Sequence, residues 1–573
     1  ITNYSDYIAL TNLGIVYWEL SGIFKLEESI REAKISVGVA IKNFEKACEN
    51  TAYRDFRSVI GLGRAYNMAF KLPWKNELYS SKKIDRLLKA YTAFFFKKNL
   101  TLEYNLLSSR SYLVDVSREI LDLVFLFAWR NEGYLTDESL RAVTTSKSPF
   151  MKALRLVRTV GKNSFLKETF QEISQKVDDD SNSLEVKEEE EDSLFVLKSM
   201  ATVMEREEIS LARLQFLEKL LKKANIGTSW EATDYPELIK ENLGEDEALL
   251  FAYPVWQVGK FFFLILWKKE KNLTYELIDL DTKMKPEFFS GGYDREDNLA
   301  SLVNFHTKQR VVNERFGKLT KMLLSDRFSH IKHIYLLPFG LLNLVPFHAL
   351  TYDIPIVKRF TISYLPDVEL LMEKGNGTTS IKSLIFAYEP YGRDVFYEEA
   401  WNVKKVLEDH GREVNYEKDP TKTSVKGTLQ EREFEIVYFS THGKGGFERP
   451  IDSYLFLADG KLTVADLVDM DFKADVAILS ACEVNLTFSK GVDDASELER
   501  AFIVAGARNV VASTVPVNAY HTSEFLPLFV EKFLQKKSEK AVRPAAEAFR
   551  EACLEMRKKG LPVWTQFRLT GTG

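Results

Sequence analysis

Two reactive side chains occupy matching places in this sequence. His442, followed by Gly443, ends the apolar run Glu435-Ile436-Val437-Tyr438-Phe439-Ser440-Thr441, and Cys482, preceded by Ala481, ends the run Asp475-Val476-Ala477-Ile478-Leu479-Ser480. A thiol beside an imidazole is a nucleophilic pair: the thiolate attacks an electrophilic carbon and the imidazole handles the proton. Each residue alone has an ordinary reading. A thiol at the end of a buried strand is usually a small hydrophobe, and a histidine before glycine is usually a turn residue. At equivalent ends of neighbouring strands, the two together favour catalysis.

The surrounding elements must deliver that arrangement. Both runs have strand length and strand composition. Between them the sequence predicts a loop, Lys444 to Leu457, and then a short helix over Thr463-Val464-Ala465-Asp466-Leu467-Val468 with Thr463 as its cap. Strand, connection, helix, strand is a βαβ unit, whose crossover makes its two strands parallel. In an open α/β sheet, sites are built at the carboxyl ends of such strands.

The segments Tyr438-Phe439-Ser440-Thr441-His442-Gly443 and Leu479-Ser480-Ala481-Cys482-Glu483 resemble the His and Cys motifs of CHAT-domain peptidases, caspase-like cysteine proteases distantly related to separase. Other stretches follow in the family's order. Ile334-Tyr335-Leu336-Leu337-Pro338-Phe339-Gly340, continuing to Leu350, resembles its Pro-x-Gly turn and Pro-Phe block. Leu498 to Ala507 resembles its helix ending in Ala-Gly-Ala, Asn509 to Ser513 the next strand, and Trp564, Phe567, Leu569 and Gly571 the closing strand. The likeness runs from about Glu245 to Gly573. It departs at Thr441, Val484, Val345, Pro516 and Asn518, none of which is in the dyad.

In the mechanism this implies, Cys482 is the nucleophile. A thiol near its ordinary pKa of about 8.5 is only a few per cent thiolate at neutral pH, yet is intrinsically very nucleophilic. His442 accepts its proton or acts mainly on the substrate, and in either role protonates the leaving amine. The backbone N–H groups of Gly443 and Cys482 are the candidate oxyanion donors, Gly443 because it brings backbone to the substrate without a Cβ. No third member of a triad is evident; Asp475 and Glu483 read as surface residues. Asp493, Asp494 and Glu497 are candidates for a pocket accepting a basic residue, with solvated carboxylates as the ordinary reading. Lys444, Glu448 and Arg449 could equally line one. The remaining histidines show no metal-ligand spacing and, with Cys553, read as structural; no metal or cofactor is expected, and Gly443-Lys444-Gly445-Gly446 lacks the ending of a phosphate-binding loop.

Size and composition bound the rest. The chain has 573 residues, 45% hydrophobic and 28% charged, enough for several cores. A net charge of −5 gives no general nucleic-acid or anionic-membrane surface. Three cysteines, Cys48, Cys482 and Cys553, are too few for a disulfide framework, which points to a reducing, cytoplasmic setting where a thiolate survives. The apolar runs Leu123 to Trp129 and Phe261 to Trp267 fall far short of the roughly 20 residues that span a bilayer. The first residues are polar and carry no signal-peptide pattern.

Along the chain, residues 1–176 read as helical. Leu13-Gly14-x-x-Tyr17 and Leu62-Gly63-x-x-Tyr66, with Ala40, Phe44 and Ala47, resemble tetratricopeptide (TPR) positions, though further apart than the usual period of about 34 residues. An ordinary helical bundle is the competing reading. Residues 177–193, with Glu188-Glu189-Glu190-Glu191, read as an acidic linker or mobile loop, and 194–244 as a helical connector. From 245 the pattern becomes strand-like (245–330), then alternates strand and helix (331–573). The expected molecule is multidomain: a TPR-like α-helical solenoid followed by an α/β caspase-like domain with a mostly parallel sheet. TPR-like helices ahead of a CHAT domain resemble the CRISPR-associated TPR-CHAT proteases, which implies a protein substrate and activation by an RNA-guided ribonucleoprotein through the helical region. Two alternatives stand beside it: a bacterial CHAT protease that activates a gasdermin, and a scaffold whose CHAT domain is inert.

Overall fold

The computed structural model describes residues 30–52, 56–71, 81–98, 112–146, 155, 234–255, 258–281, 309–375, 377–392, 394–430, 432–444, 453–481, 497–515 and 517–573. The first TPR-like signature at Leu13, the acidic linker 177–193 and most of the connector 194–244 lie outside these residues, as do Cys482, Asp493 and Asp494.

The front of the chain is helical: α1 (Ile30–Asn50), α2 (Phe56–Lys71), α3 (Ser81–Lys98), α4 (Tyr112–Arg130) and α5 (Asp137–Ser146), then α6 (Tyr235–Asn242). α1 and α2 pack closely because Gly61 leaves room for the Phe44 ring; a Cβ there would sit 2.2 Å from it. Next come β1 (Glu247–Val255), β2 (Lys260–Lys269), β3 (Asn272–Asp281), α7 (Gln309–Leu323), β4 (His333–Pro338), α8 (Ile356–Arg359) and β5 (Thr361–Tyr364). The second half contains β6 (Lys382–Ala387), α9 (Val395–Asp409), β7 (Glu413–Lys418), α10 (Lys422–Leu429), β8 (Arg432–Ser440), β9 (Gly443–Lys444), β10 (Tyr454–Leu457), β11 (Gly460–Thr463), α11 (Val464–Val468) and β12 (Phe472–Ser480). It closes with α12 (Glu497–Ala505), β13 (Asn509–Ser513), α13 (Ala519–Ser538), α14 (Pro544–Lys558) and β14 (Phe567–Gly571).

Eleven strands form one sheet in the order β3-β2-β1-β4-β5-β14-β13-β12-β8-β6-β7. Pairing is antiparallel at β3–β2, β2–β1 and β14–β13 and parallel elsewhere. The sheet is therefore two parallel blocks, β1-β4-β5-β14 and β13-β12-β8-β6-β7, running in opposite directions and joined at β13–β14, with β2 and β3 adding an antiparallel edge beside β1. This agrees with the mostly parallel α/β region expected from the alternation of patterns.

Helices cover both faces, which explains why the central strands are continuously apolar rather than alternating with polar residues. On β8, Val437 and Phe439 join one core while Ile436 and Tyr438 join another; on β12, Ala477 and Leu479 pair off from Val476 and Ile478 in the same way. The first of these cores also contains α1 to α5. Phe125 of α4 stacks on Tyr253 and Phe262 at centroid distances of 5.0 and 5.6 Å. The Tyr253 hydroxyl donates to Asp122 at 2.8 Å. The helical front thus packs directly on the β1–β2 end of the sheet.

One expectation needs correction. Lys444 to Leu457 is not all loop: Tyr454–Leu457 is β10, central in a three-stranded antiparallel sheet with β9 and β11. The cause is local, since Leu455 and Leu457 are buried and alternate with the half-buried Tyr454 and Phe456. Among the described residues, no helix is long and apolar enough to cross a membrane.

Candidate functional site

β8 and β12 are parallel neighbours in the expected register, with Ser440 paired to Ser480. The ladder continues past the strand ends: Tyr388 N–H donates to Ser440 O at 3.0 Å and Thr441 N–H to Ser480 O at 3.1 Å. The Ser513 hydroxyl, at the end of β13, holds Ala481 O at 2.8 Å. His442 stands two residues beyond Ser440, and Cys482 follows two residues beyond Ser480 in the chain. The crossover helix α11 begins at Thr463 as expected, with a capping box: Thr463 accepts from Asp466 N–H while the Asp466 carboxylate accepts from Thr463 N–H.

His442 is held on three sides. Its ring packs against Phe396 of α9 at 4.7 Å and meets Tyr391 edge-on at 5.3 Å. Its Nε2 lies 3.1 Å from Oε2 of Glu389. Glu389 is buried just past the end of β6, and its other oxygen accepts the Tyr391 N–H at 2.7 Å. A carboxylate that accepts the Nε2 proton fixes the tautomer and leaves Nδ1 as the basic nitrogen. Glu389 is thus a third side chain where the sequence showed none. It lies 53 residues from its partner, on a different strand end, and no local pattern joins them.

Gly443 enters β9, opposite Leu455 of β10. Phe456 N–H donates to His442 O at 2.9 Å. That bond makes Gly443 and Leu455 a non-hydrogen-bonded pair, so the Gly443 N–H is not spent in this ladder. It is a donor beside the imidazole, as an oxyanion site requires.

Behind the strand ends lies a buried polar cluster. Glu399 of α9 receives the Tyr438 hydroxyl at 2.5 Å and lies 3.1 Å from Ser440 Oγ. Burial pushes its carboxyl up to about 7, against the lowering hydrogen bonds of Ser480, Tyr438 and Ser440.

Other residues singled out in the sequence fall elsewhere. Asp475 is not a surface residue: it is buried at the start of β12, accepts the Thr378 N–H at 2.6 Å and pairs with Lys537. It lines a cavity of about 400 Å³ with Arg508 and Thr572, at the opposite end of β12 from His442. Glu497 begins α12. Cys553 is fully buried, its thiol pushed well up by burial, in keeping with a structural role. His348 is likewise buried, pushed down to about 4 by burial and bonded to Trp564 O at 2.8 Å. Among the described residues no group of His, Cys, Asp and Glu could hold a metal ion.

No curated protein matches this chain. Among solved structures, the Arg-specific cysteine proteinase gingipain R, RgpB of Porphyromonas gingivalis, is 12% identical, with 46% of this chain and 66% of that one covered, at a TM-score of 0.32. The Saccharomyces cerevisiae separase–securin complex is 12% identical over 96% of this chain and 54% of that one, at a TM-score of 0.38. The chain spans less than two thirds of either solved chain, and at these scores the likenesses carry no argument. The family evidence is more direct: residues 313–572, which hold β4 to β14 and His442, match the CHAT domain, and the mostly parallel sheet with helices on both faces fits its caspase-like α/β architecture.

Proposed function

We propose that this protein is a cysteine endopeptidase with Cys482 as nucleophile and His442 as its acid–base partner. The observation that carries the reading is the parallel Ser440–Ser480 register, which starts both reactive residues from one level of the sheet, within a region that matches the CHAT domain. The Cys482 thiolate attacks the scissile carbonyl carbon, and the oxyanion takes hydrogen bonds from the N–H groups of Gly443 and Cys482. His442 gives its proton to the departing amine as the C–N bond breaks. Water then attacks the thioester, the acid leaves, and the thiol is restored. Glu389 keeps the imidazole oriented through both steps.

The fuller reading follows the resemblance to TPR-CHAT proteases: the enzyme is latent and cytoplasmic, and its protein substrate is cut once a partner engages the helical front. An RNA-guided effector bound to target RNA is the first partner to test. Candidate proteins encoded beside this gene are incubated with the chain, with and without the neighbouring ribonucleoprotein and its target. Target-dependent cleavage that disappears in Cys482→Ala and His442→Ala is the expected result. Undiminished cleavage in Cys482→Ala would overturn the assignment of the nucleophile. Strong cleavage by the isolated chain would overturn latency.

A further inference from the structure

Glu399 is a fully buried carboxyl that reaches both strands of the candidate dyad. It projects from α9, one turn after Phe396, whose ring packs on His442. It contacts Tyr438 and Ser440 on β8 and Ser480 on β12. Those serines are register partners, each two residues before a reactive side chain.

Its surroundings suit a neutral acid. Among the described residues no cation pairs with it, and an isolated buried carboxylate is strongly disfavoured. The hydroxyl arithmetic agrees. Ser440 Oγ lies 2.9 Å from Phe396 O and 3.1 Å from Glu399 Oε1. A hydroxyl has a single proton, and the carbonyl can only accept. The Ser440 proton is divided between two acceptors, so its support for an ionised Glu399 is weakened.

We propose that Glu399, as a neutral acid, is a positioning residue that ties the last paired residues of β8 and β12 together, so that His442 and Cys482 leave the sheet in step. This rests on the peptidase reading above. The titratable group facing Glu399 is Tyr438; Ser440 and Ser480 face it as hydroxyls. From α13, which packs on α9, the buried residues are Thr522 and apolar side chains; His521, Lys532, Lys536 and Lys537 are half-buried, with Lys536 paired to Glu539 and Glu551 and Lys537 to Glu435 and Asp475, and Glu524 and Glu531 are exposed. On α9 itself, Glu398, Lys405 and Glu408 are exposed and Lys404 is half-buried. When Glu399 ionises, a negative charge therefore appears behind the strand ends with little to offset it. It opposes the negative charge that the reaction develops and competes for the hydroxyl protons at the strand ends, so activity is lost on the alkaline side of neutrality.

Two variants and two readouts test this. Glu399→Ala is expected to lower kcat by about ten- to a hundredfold, as a small misplacement of reacting groups does, with KM little changed. Glu399→Gln, which keeps an acceptor oxygen and an N–H donor but cannot ionise, is expected to recover most of that loss and to remove the alkaline decline. Independently of any turnover, carboxyl-carbon NMR on the Cys482→Ala chain follows the titration of Glu399 itself. A Glu399 carboxyl that stays protonated to near neutrality supports the proposal. Ionisation in the ordinary carboxylate range would overturn it, as would a Glu399→Ala enzyme with wild-type kcat. Absence of any Cys482-dependent cleavage would instead sink the peptidase reading and leave the NMR result to decide on Glu399.

Discussion

At the scale of single residues, the imidazole of the candidate dyad is fixed by its neighbours. Phe396 and Tyr391 restrict its ring and Glu389 takes one nitrogen. The Glu389 carboxylate is itself fixed by the Tyr391 N–H, so it approaches the imidazole from one direction only. Glu389→Gln keeps the shape but presents an amide that can donate to Nε2, favouring the tautomer with its proton on Nδ1. The basic nitrogen would then face away from the nucleophile. A carboxylate-to-amide change behind a catalytic histidine costs about 10⁴-fold in kcat in serine proteases. Here a loss of about 10²–10⁴-fold is expected, with KM nearly unchanged, because the Glu389 side chain is fully buried behind the imidazole. Steady-state kinetics on the activated enzyme would read it. A kcat within a factor of about two of wild type would mean that the contact is incidental.

At the scale of elements, the motif Ala505-Gly506-Ala507 has a physical cause. α12 ends at Ala505, and the chain turns through Gly506 at φ +124° into β13. A Cβ there would lie 1.7 Å from the backbone oxygen of Phe472, at the start of β12. Gly506→Ala is therefore expected to cost at least about 2 kcal/mol, from a disfavoured backbone conformation and a collision with main chain. Gly427→Ala in α10, where nothing lies within 4 Å, should instead be neutral or gain up to about 1 kcal/mol. Chemical denaturation of the two variants checks the contrast; equal stabilities would refute it. The same elements show what local sequence can carry. β8, β12, the Thr463 cap and β13 were legible because continuous apolar runs and a capping pattern are local signals. β7 was missed because it is a half-exposed edge strand of mixed composition, Glu413-Val414-Asn415-Tyr416-Glu417-Lys418, and β5 because it has four residues. Asp475 misled because a charged residue opening a strand looks solvated, whereas Thr378 and Lys537 reach it from segments distant in sequence. Glu389 needed the neighbour relation of β6 and β8, which a one-dimensional pattern does not contain.

At the scale of the whole molecule, the helical front and the sheet are not separable by their packing. A single buried cluster runs from Val37 on α1 through Phe125 on α4 to Tyr253 on β1, and on to Phe439 and Leu479 beside the candidate site. Among the described residues, a partner that displaces the front would act on β1 and β2, at one end of the eleven-stranded sheet, and on the 367–373 segment that Arg155 and Tyr235 reach. This continuity makes a thermodynamic prediction. Phe125 is fully buried between the two regions, and Phe125→Ala should cost about 3–5 kcal/mol through lost burial and the cavity left behind. Because the cluster is shared, calorimetry of the wild-type chain should show the helices and sheet melting in one transition, and the substitution should lower that transition as a whole. Two separated endotherms, with the substitution moving only the lower one, would show that the front unfolds on its own. In that case a partner could remove it without disturbing the sheet, and the route from helical front to His442 would have to run through contacts other than this core.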